Sequence, residues 1–312
     1  RRNNGRHMID WSRRALLLSG AVAPLSMLPS AALPAAAPAA GPIAFLPAPG
    51  RVVAVGDIHG DCDAFERVLR VSGLYDRSAG WIGGNAVLVQ IGDILDRGAQ
   101  ELECLRLLRT LKQEAPREGG TVVSLLGNHE IMNAAGITYM ASPRSAAAFE
   151  DRATAFLAGG TLARELASWP VACVVGDTAF CHAALTLAQA EAGLEAGNAE
   201  ASRWLSGSGP ELPPAQLFPS GQLATPSPLW SRELSDPPDT EPAPAACNDL
   251  QAALKRLGAK RLVVGHTVQS RINCACDCSV FRVDVGLSAA MGSATPQALE
   301  ISQSGKVRVL AG

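Results

Sequence analysis

Aromatic residues are scarce in this chain: Phe, Trp and Tyr make up 4% of its 312 residues. That excludes a platform on which nucleic-acid bases stack. Neither charge sign dominates. Lys and Arg number 27 against 29 Asp and Glu, a net charge of −2, so there is no broad electrostatic footprint for nucleic acid. Eight cysteines are too few for a disulfide scaffold of this length, and no Cys-x-x-Cys pair is present to build a zinc knuckle. Long uninterrupted apolar runs are also missing. The stretch from Ala15 to Leu33 is broken at Pro24 and Pro29, which argues against a stable membrane span. No internal repeat is visible. What is there is 47% hydrophobic and 18% charged, enough to bury a core in one large domain or two small ones.

Residues 1–48 read as a targeting leader that is cleaved from the mature protein. Arg1, Arg2, Arg6, Arg13 and Arg14 make a basic start, and the run Ser12 to Leu18 resembles a twin-arginine export signal. Small residues between Ser30 and Ala40 offer cleavage points. The expected location is exported or organellar: the thylakoid lumen of a chloroplast if a transit peptide precedes this stretch, a bacterial periplasm otherwise.

From residue 49 the pattern is globular to the end. Apolar strands are expected at Arg51 to Val55, Ala86 to Ile91 and Thr121 to Leu126. The first two are each followed by a helix, one carrying Phe65, Val68 and Leu69 on one side, the other Leu102, Leu105, Leu108 and Leu111. This alternation predicts an α/β fold with βαβ units and a partly parallel sheet. Residues 140–166 read as mainly helical, and 171–181 as a hairpin turning at Gly176-Asp177. Residues 186–246 read as a helix and then a Pro-rich rim or lid insertion. A helix over 248–257 and a strand over 261–264 follow. Strands over 280–285, 298–301 and 306–310 close the chain as an antiparallel set. Cys274, Cys276 and Cys278 alternate, so on a strand they share one face. Their role reads as structural or disulfide, together with Cys247.

Each of the first three strands runs into a motif: Gly56-Asp57-Ile58-His59-Gly60, then Gly92-Asp93-Ile94-Leu95-Asp96-Arg97-Gly98, then Gly127-Asn128-His129-Glu130. Ligands of open α/β sheets bind at such carboxyl ends. Apart from His7, the histidines all sit in motif-like runs: His59, His129, His182 and His266. A dimetal hydrolase needs two cations about 3.5–4 Å apart, held by mixed carboxylate, imidazole and amide ligands. Asp57 and His59, alternating on an extended segment, suit a first metal, with Asp93 bridging and Asn128, His182 and His266 on the second. Taken singly, each reads more simply otherwise: Asn128 as a helix cap, Gly265-His266 as a turn.

Together the three motifs, His182 and Gly265-His266-Thr267 resemble the phosphoprotein phosphatase branch of calcineurin-like metallophosphoesterases. Met132-Asn133, Pro228 to Arg232, Val264 to Gln269 and Arg282 to Ser288 further resemble its Shewanella-like, bacterial-type subgroup. The resemblance runs from about residue 51 to the end. It implies a metallophosphatase β-sandwich of mixed sheets flanked by helices. It implies two divalent metals, manganese first, with iron or zinc as alternatives. The implied activity is hydrolysis of phosphoproteins, with a lean toward phosphotyrosine, by in-line attack of a hydroxide bridging the metals. His129 is then the general acid, oriented by Asp96, and Arg97 and Arg232 clamp phosphate oxygens. One departure stands out: His182-Ala183-Ala184-Leu185 occupies the place of a His-Gly-Gly-Leu, and alanines there are costly if the backbone needs positive φ. The competing expectations are a diadenosine-polyphosphate or other small phosphoester hydrolase on the same metal core, an inactive binding module, and a nuclease, for which no basic groove is evident.

Overall fold

Residues 42–218 and 226–312 are described by the computed structural model; the twin-arginine-like run and its cleavage points lie outside them. In chain order the elements begin with β1 (Phe45–Leu46), β2 (Val52–Val55), α1 (Cys62–Val71), β3 (Tyr75–Asp76), β4 (Gly80–Trp81) and β5 (Val87–Gln90). Next come α2 (Glu101–Glu114), β6 (Thr121–Ser124), α3 (Asn128–Ala134) and three short helices, α4 (Pro143–Ala147), α5 (Arg152–Phe156) and α6 (Thr161–Leu166). The hairpin β7 (Ala172–Val175) and β8 (Thr178–Cys181) is followed by α7 (Leu187–Ala192), α8 (Leu194–Leu205) and α9 (Pro244–Leu257). Five strands close the chain: β9 (Arg261–Val264), β10 (Asn273–Ala275), β11 (Val280–Arg282), β12 (Gln297–Ile301) and β13 (Val307–Ala311).

Two mixed sheets result. One has the order β13-β12-β2-β5-β6, with β2, β5 and β6 parallel and β12 antiparallel to β2. The other has the order β1-β7-β8-β9-β11-β10. Val-Val-Ala-Val in β2 is buried at every position, the signature of a strand covered on both faces. Its apolar side chains join one core with Phe65, Val68 and Leu69 of α1 and Leu105 and Leu108 of α2. Across the sandwich, Cys173, Val175, Phe180 and Val263 belong to that same core. The alternate residues of those strands, Ala172, Val174, Ala179, Cys181, Leu262 and Val264, form a second cluster with Leu250 and Leu254 of α9. The period of two thus gives helix, sheet, sheet, helix, as expected of a metallophosphatase sandwich.

Some details differ from the sequence reading. Residues 140–166 are three short helices rather than one broken at Gly159-Gly160, the first two opened by the capping side chains of Ser142 and Asp151. The Gly-rich turn region after Tyr75 holds the small β3–β4 hairpin. Residues 280–285 are not part of an antiparallel set: β11 runs parallel to β9 and antiparallel only to β10. The three clustered cysteines do not share a strand face. β10 ends at Ala275, and Cys276, Asp277 and Cys278 all take left-handed backbone. Disulfides join Cys247 to Cys276 and Cys274 to Cys278. Within the stretch assigned to the leader, Phe45–Leu46 pairs with β7; two residues are too few to show a period.

The outer edge of β7 is finished by two devices. β1 takes the amides of Val174 and Gly176, through Ala44 and Leu46 carbonyls at 2.7 and 2.9 Å. Beyond its reach, the buried Asn198 of α8 accepts from Val171 and Ala172 N–H at 2.8 and 3.2 Å and donates to Ala172 O at 3.0 Å. A side-chain amide stands in for a missing strand and ties α8 to the sheet. Asn198→Ala leaves two buried donors unanswered, so urea unfolding should show a loss of about 2–4 kcal/mol. An unchanged midpoint would mean that α8 is not anchored by this contact.

Candidate metal centre

The parallel order of β2, β5 and β6 brings the three motif loops side by side. Backbone bonds then staple the loops together: Ile58 and His59 N–H donate to Asp93 O at 3.1 and 2.9 Å, and Gly60 N–H to Ile94 O at 2.7 Å. β9, whose neighbour β8 leads directly into His182, delivers His266 from the other sheet. All six residues expected to hold metal are buried, from His182 at 0% exposure to His266 at 8%. They meet in one place.

Asp93 is the hub. Its Oδ2 lies 3.8 Å from His59 Nε2, 3.8 Å from His129 Nε2 and 3.4 Å from His182 Nε2. Two groups with metal-binding spacing share it: His59, Asp93 and His129, and Asp93, His182 and His266. Asn128 Oδ1 sits 3.0 Å from His182 Nε2, and His266 Nδ1 lies 3.2 Å from the same nitrogen. Asp57 reaches the His266 side, where its carboxylate accepts from His266 N–H at 3.3 and 3.2 Å. The segment is not extended as expected, because His59 turns with φ +47. Gly127 and Gly265 are required by close approach: a Cβ on either would collide with a carboxylate oxygen, of Asp93 and of Asp57 respectively.

The donor chemistry fits cations. His59 Nδ1–H donates to Leu95 O, His182 Nδ1–H to Ile91 O and His266 Nε2–H to Trp230 O, at 3.0, 2.8 and 3.3 Å. Carbonyls only accept, so these bonds fix the tautomers and aim the remaining ring lone pairs into the pocket, as metal-ligating histidines do. Around His182 Nε2, three lone-pair atoms and a carboxylate oxygen then face one another. Only a proton or a cation can sit among them.

The electrostatics point the same way. Burial and then the Asp284 and Asp93 charges push Asp57 well above the usual carboxylate range. Burial also works against an ionised Asp93, but the imidazoles of His182, His129 and His59 outweigh it and hold that carboxyl well below its ordinary value. His59 is lowered to about 4, mainly by burial, and His266 is lowered by burial and by His182. Both rings are neutral near pH 7 and free to ligate. His129 differs: burial lowers it, yet Asp93 and Asp96 carry the net shift upward. Its Nδ1–H donates to Asp96 Oδ2 at 2.7 Å, which keeps Nε2 facing the pocket.

Comparison with known proteins decides the family. The calcineurin-like phosphoesterase family matches residues 50–270. The chain belongs to the calcineurin-like phosphoesterases. It is accordingly a hydrolase of phosphoric esters. It is 33% identical to Shewanella-like protein phosphatase 2 of Arabidopsis thaliana, over 84% of this chain and 78% of that one. Shewanella-like protein phosphatase 1 of Plasmodium berghei is 30% identical, over 77% of this chain and 67% of the relative. A solved cold-active protein-tyrosine phosphatase of a psychrophilic Shewanella species shares the fold, with a TM-score of 0.70 at 24% identity, covering 86% of this chain and 83% of that one.

The two arginines of this phosphoesterase are placed differently. Arg97 is exposed, on a left-handed turn with φ +68, and its charge is among those lowering His59. Arg232 pairs with neither Glu233 nor Asp236 but docks on the loop that carries His266, donating to His266 O at 3.1 Å and Thr267 Oγ1 at 2.8 Å. The alanines after His182 carry no strain, since neither has positive φ and both are buried. Two residues lacked an assigned role in the sequence reading. Asp284, inside the run Arg282 to Ser288, is buried beside Asp57 and raised to about 6, chiefly by burial. Glu130 accepts four backbone N–H bonds, from Asp93 (2.8 Å), Ile94 (3.0 Å), Leu95 (3.1 Å) and Gly127 (2.8 Å). It ties the second motif to the third. Glu130→Gln turns an –NH2 toward two of those donors, so urea unfolding should register a loss of about 2–6 kcal/mol. Metal content should fall with it; a variant as stable and metal-rich as wild type would show that the clamp is idle.

Proposed function

We propose that this chain is a two-metal phosphomonoesterase of phosphoproteins, with a lean toward phosphotyrosine. The observation that carries the reading is Asp93 shared between two histidine groups, with the His129–Asp96 pair at its side. In this reading Asp57, His59 and Asp93 hold one divalent cation and Asp93, Asn128, His182 and His266 hold the other. The mixed nitrogen and oxygen set supports manganese, with iron and zinc as competitors that metal analysis distinguishes. Such a pair, when bound, makes water more acidic and polarises phosphoryl oxygens. The protein-substrate assignment rests on the Shewanella-like relatives. The basic start and the Ser12 to Leu18 run support export, to a thylakoid lumen or a periplasm. Among the described residues no helix is long and apolar enough to cross a membrane.

The chain's own residues then divide the work. Arg97 presents its planar fork to phosphate oxygens from the rim, and Arg232 does so from the His266 side. His129, as the imidazolium, holds a proton on Nε2 for the departing oxygen, and Asp96 accepts its Nδ1–H, which favours the charged ring and fixes its orientation. The deep placement of the donors, with His129 at 3% exposure, keeps bulk water from competing for that proton.

His129→Ala should retain two equivalents of metal and lose about 100- to 10,000-fold in turnover of a phosphotyrosyl peptide. Asp93→Asn should lose metal as well as turnover, by elemental analysis of the purified protein. Hydrolysis close to wild type by either variant defeats the assignment. Phosphoseryl peptide and diadenosine tetraphosphate belong in the same panel: preference for the dinucleotide would replace the protein substrate with a small one. Metal without any turnover would indicate a binding module.

A further inference from the structure

Behind the His129–Asp96 pair lies a buried cation that the proposed reaction does not itself call on. Arg152 is the first residue of α5, 5% exposed. Its Nη2 donates to Asp96 Oδ1 at 2.9 Å and to Glu101 Oε1 at 2.8 Å, its Nε to Glu101 Oε2 at 2.7 Å, and its Nη1 to Asn133 Oδ1 at 2.5 Å. Asn133 in turn donates to Asp96 Oδ2 at 3.0 Å and to His129 O at 2.9 Å. Glu101 also accepts the Asp96 N–H at 2.6 Å. Both oxygens of Asp96 are therefore fixed, one by Arg152 and the other by His129 and by an asparagine that Arg152 orients.

We propose that Arg152 is a positioning residue for proton donation: its guanidinium, through Asp96 and Asn133, sets the direction of His129 Nε2. The inference rests on the reading of His129 as the proton donor. Three observations favour position over stability. A buried ion cluster contributes little net stability, because desolvating the charges cancels most of their attraction. A cation at the first position of a helix opposes the helix dipole, which offsets what α5 gains from the guanidinium lying over the Phe156 ring, 5.0 Å from its centroid. And Asp96 stands on left-handed backbone with φ +69, a conformation that needs outside support. A lysine cannot replace this group, since one ammonium cannot reach Asp96, Asn133 and both oxygens of Glu101 in a plane.

The test is the dependence of turnover on the leaving group, measured with metal-loaded enzyme. A proton donor matters most when the departing oxygen is basic, so phenyl phosphate depends on it far more than 4-nitrophenyl phosphate. First, His129→Ala is compared with wild type on the two esters. Equal losses there would overturn His129 as the donor, and the present inference with it. With His129 upheld, Arg152→Lys should lower kcat about 10- to 100-fold on phenyl phosphate and by only a small factor on 4-nitrophenyl phosphate, with KM and metal content kept. The paired variant Arg152→Met with Glu101→Gln removes one charge of each sign. It guards against a lone buried carboxylate unfolding the chain, and should show the same split. Equal losses on both esters in these variants, or none, overturn the role of Arg152 and leave that of His129 standing.

Discussion

Everything at the centre depends on holding groups together that repel one another. Asp57, Asp93 and Asp284 are mutually close carboxyls, and around His182 Nε2 the neighbours offer lone pairs instead of protons. No ordinary loop would keep this arrangement. The backbone shows the effort: among the described residues ten non-glycine positions have positive φ, and His59, Asp93, Asp96, Arg97 and His266 are five of them. Each such residue costs about 1–3 kcal/mol. Glycine would relieve that strain but could not supply a carboxylate, an imidazole or a guanidinium. The sequence therefore places functional side chains on the strained positions and glycines at Gly127 and Gly265, where bulk would collide with the carboxylates.

Strain of that kind persists only if its surroundings over-determine it. Three layers do so. The parallel strands β2, β5 and β6 are buried almost throughout and fix where each loop begins. The loops are bonded to one another by Asp93 and Ile94 carbonyls. Glu130, fully buried, then collects four amides from two motifs. Burial and the neighbouring Asp93 charge raise Glu130 to about 7 although Gly127 and Asp93 N–H bonds oppose the shift. A cation at Asp93 would remove much of that upward pressure. The four-amide clamp and occupation of the centre are then linked, since the N–H bonds and a cation both favour the ionised carboxylate that burial and Asp93 oppose.

What could be read from sequence follows from range. The motif loops were legible because each follows an apolar strand by one or two residues, and six ligand candidates fell in a compatible order. The sandwich was legible only through resemblance, since β9 and β11 are adjacent and parallel for reasons of packing that no local pattern carries. Residues whose meaning lies in a distant partner were silent. Arg152 is 56 positions from Asp96, Asn198 is 27 from Val171, and Asp284 meets Asp57 across the whole domain. Periodicity also misled at Cys274, Cys276 and Cys278. Spacing of two predicts a shared face only on a strand, and here the chain leaves β10 after Ala275 and turns three times through left-handed backbone. Alternation is evidence about side-chain direction only once the strand itself is secure.

The two candidate phosphate clamps show how the same residue type takes on different tasks. Arg97 follows Asp96 directly on the strained turn, and its N–H bonds to Met140 O at 2.9 Å. The turn is held while the exposed fork keeps its planar set of donors for a ligand. Arg232 commits one nitrogen to His266 O and Thr267 Oγ1, and Ser235 Oγ donates to the same threonine oxygen at 2.8 Å. Its cation therefore fixes the loop that carries His266 and adds to burial and His182 in lowering that imidazole. Only the rest of its fork is left for a phosphate. Arg97 supplies adaptable charge and Arg232 supplies register. In the proposed reaction an incoming phosphoryl group is caught by the first and aligned by the second.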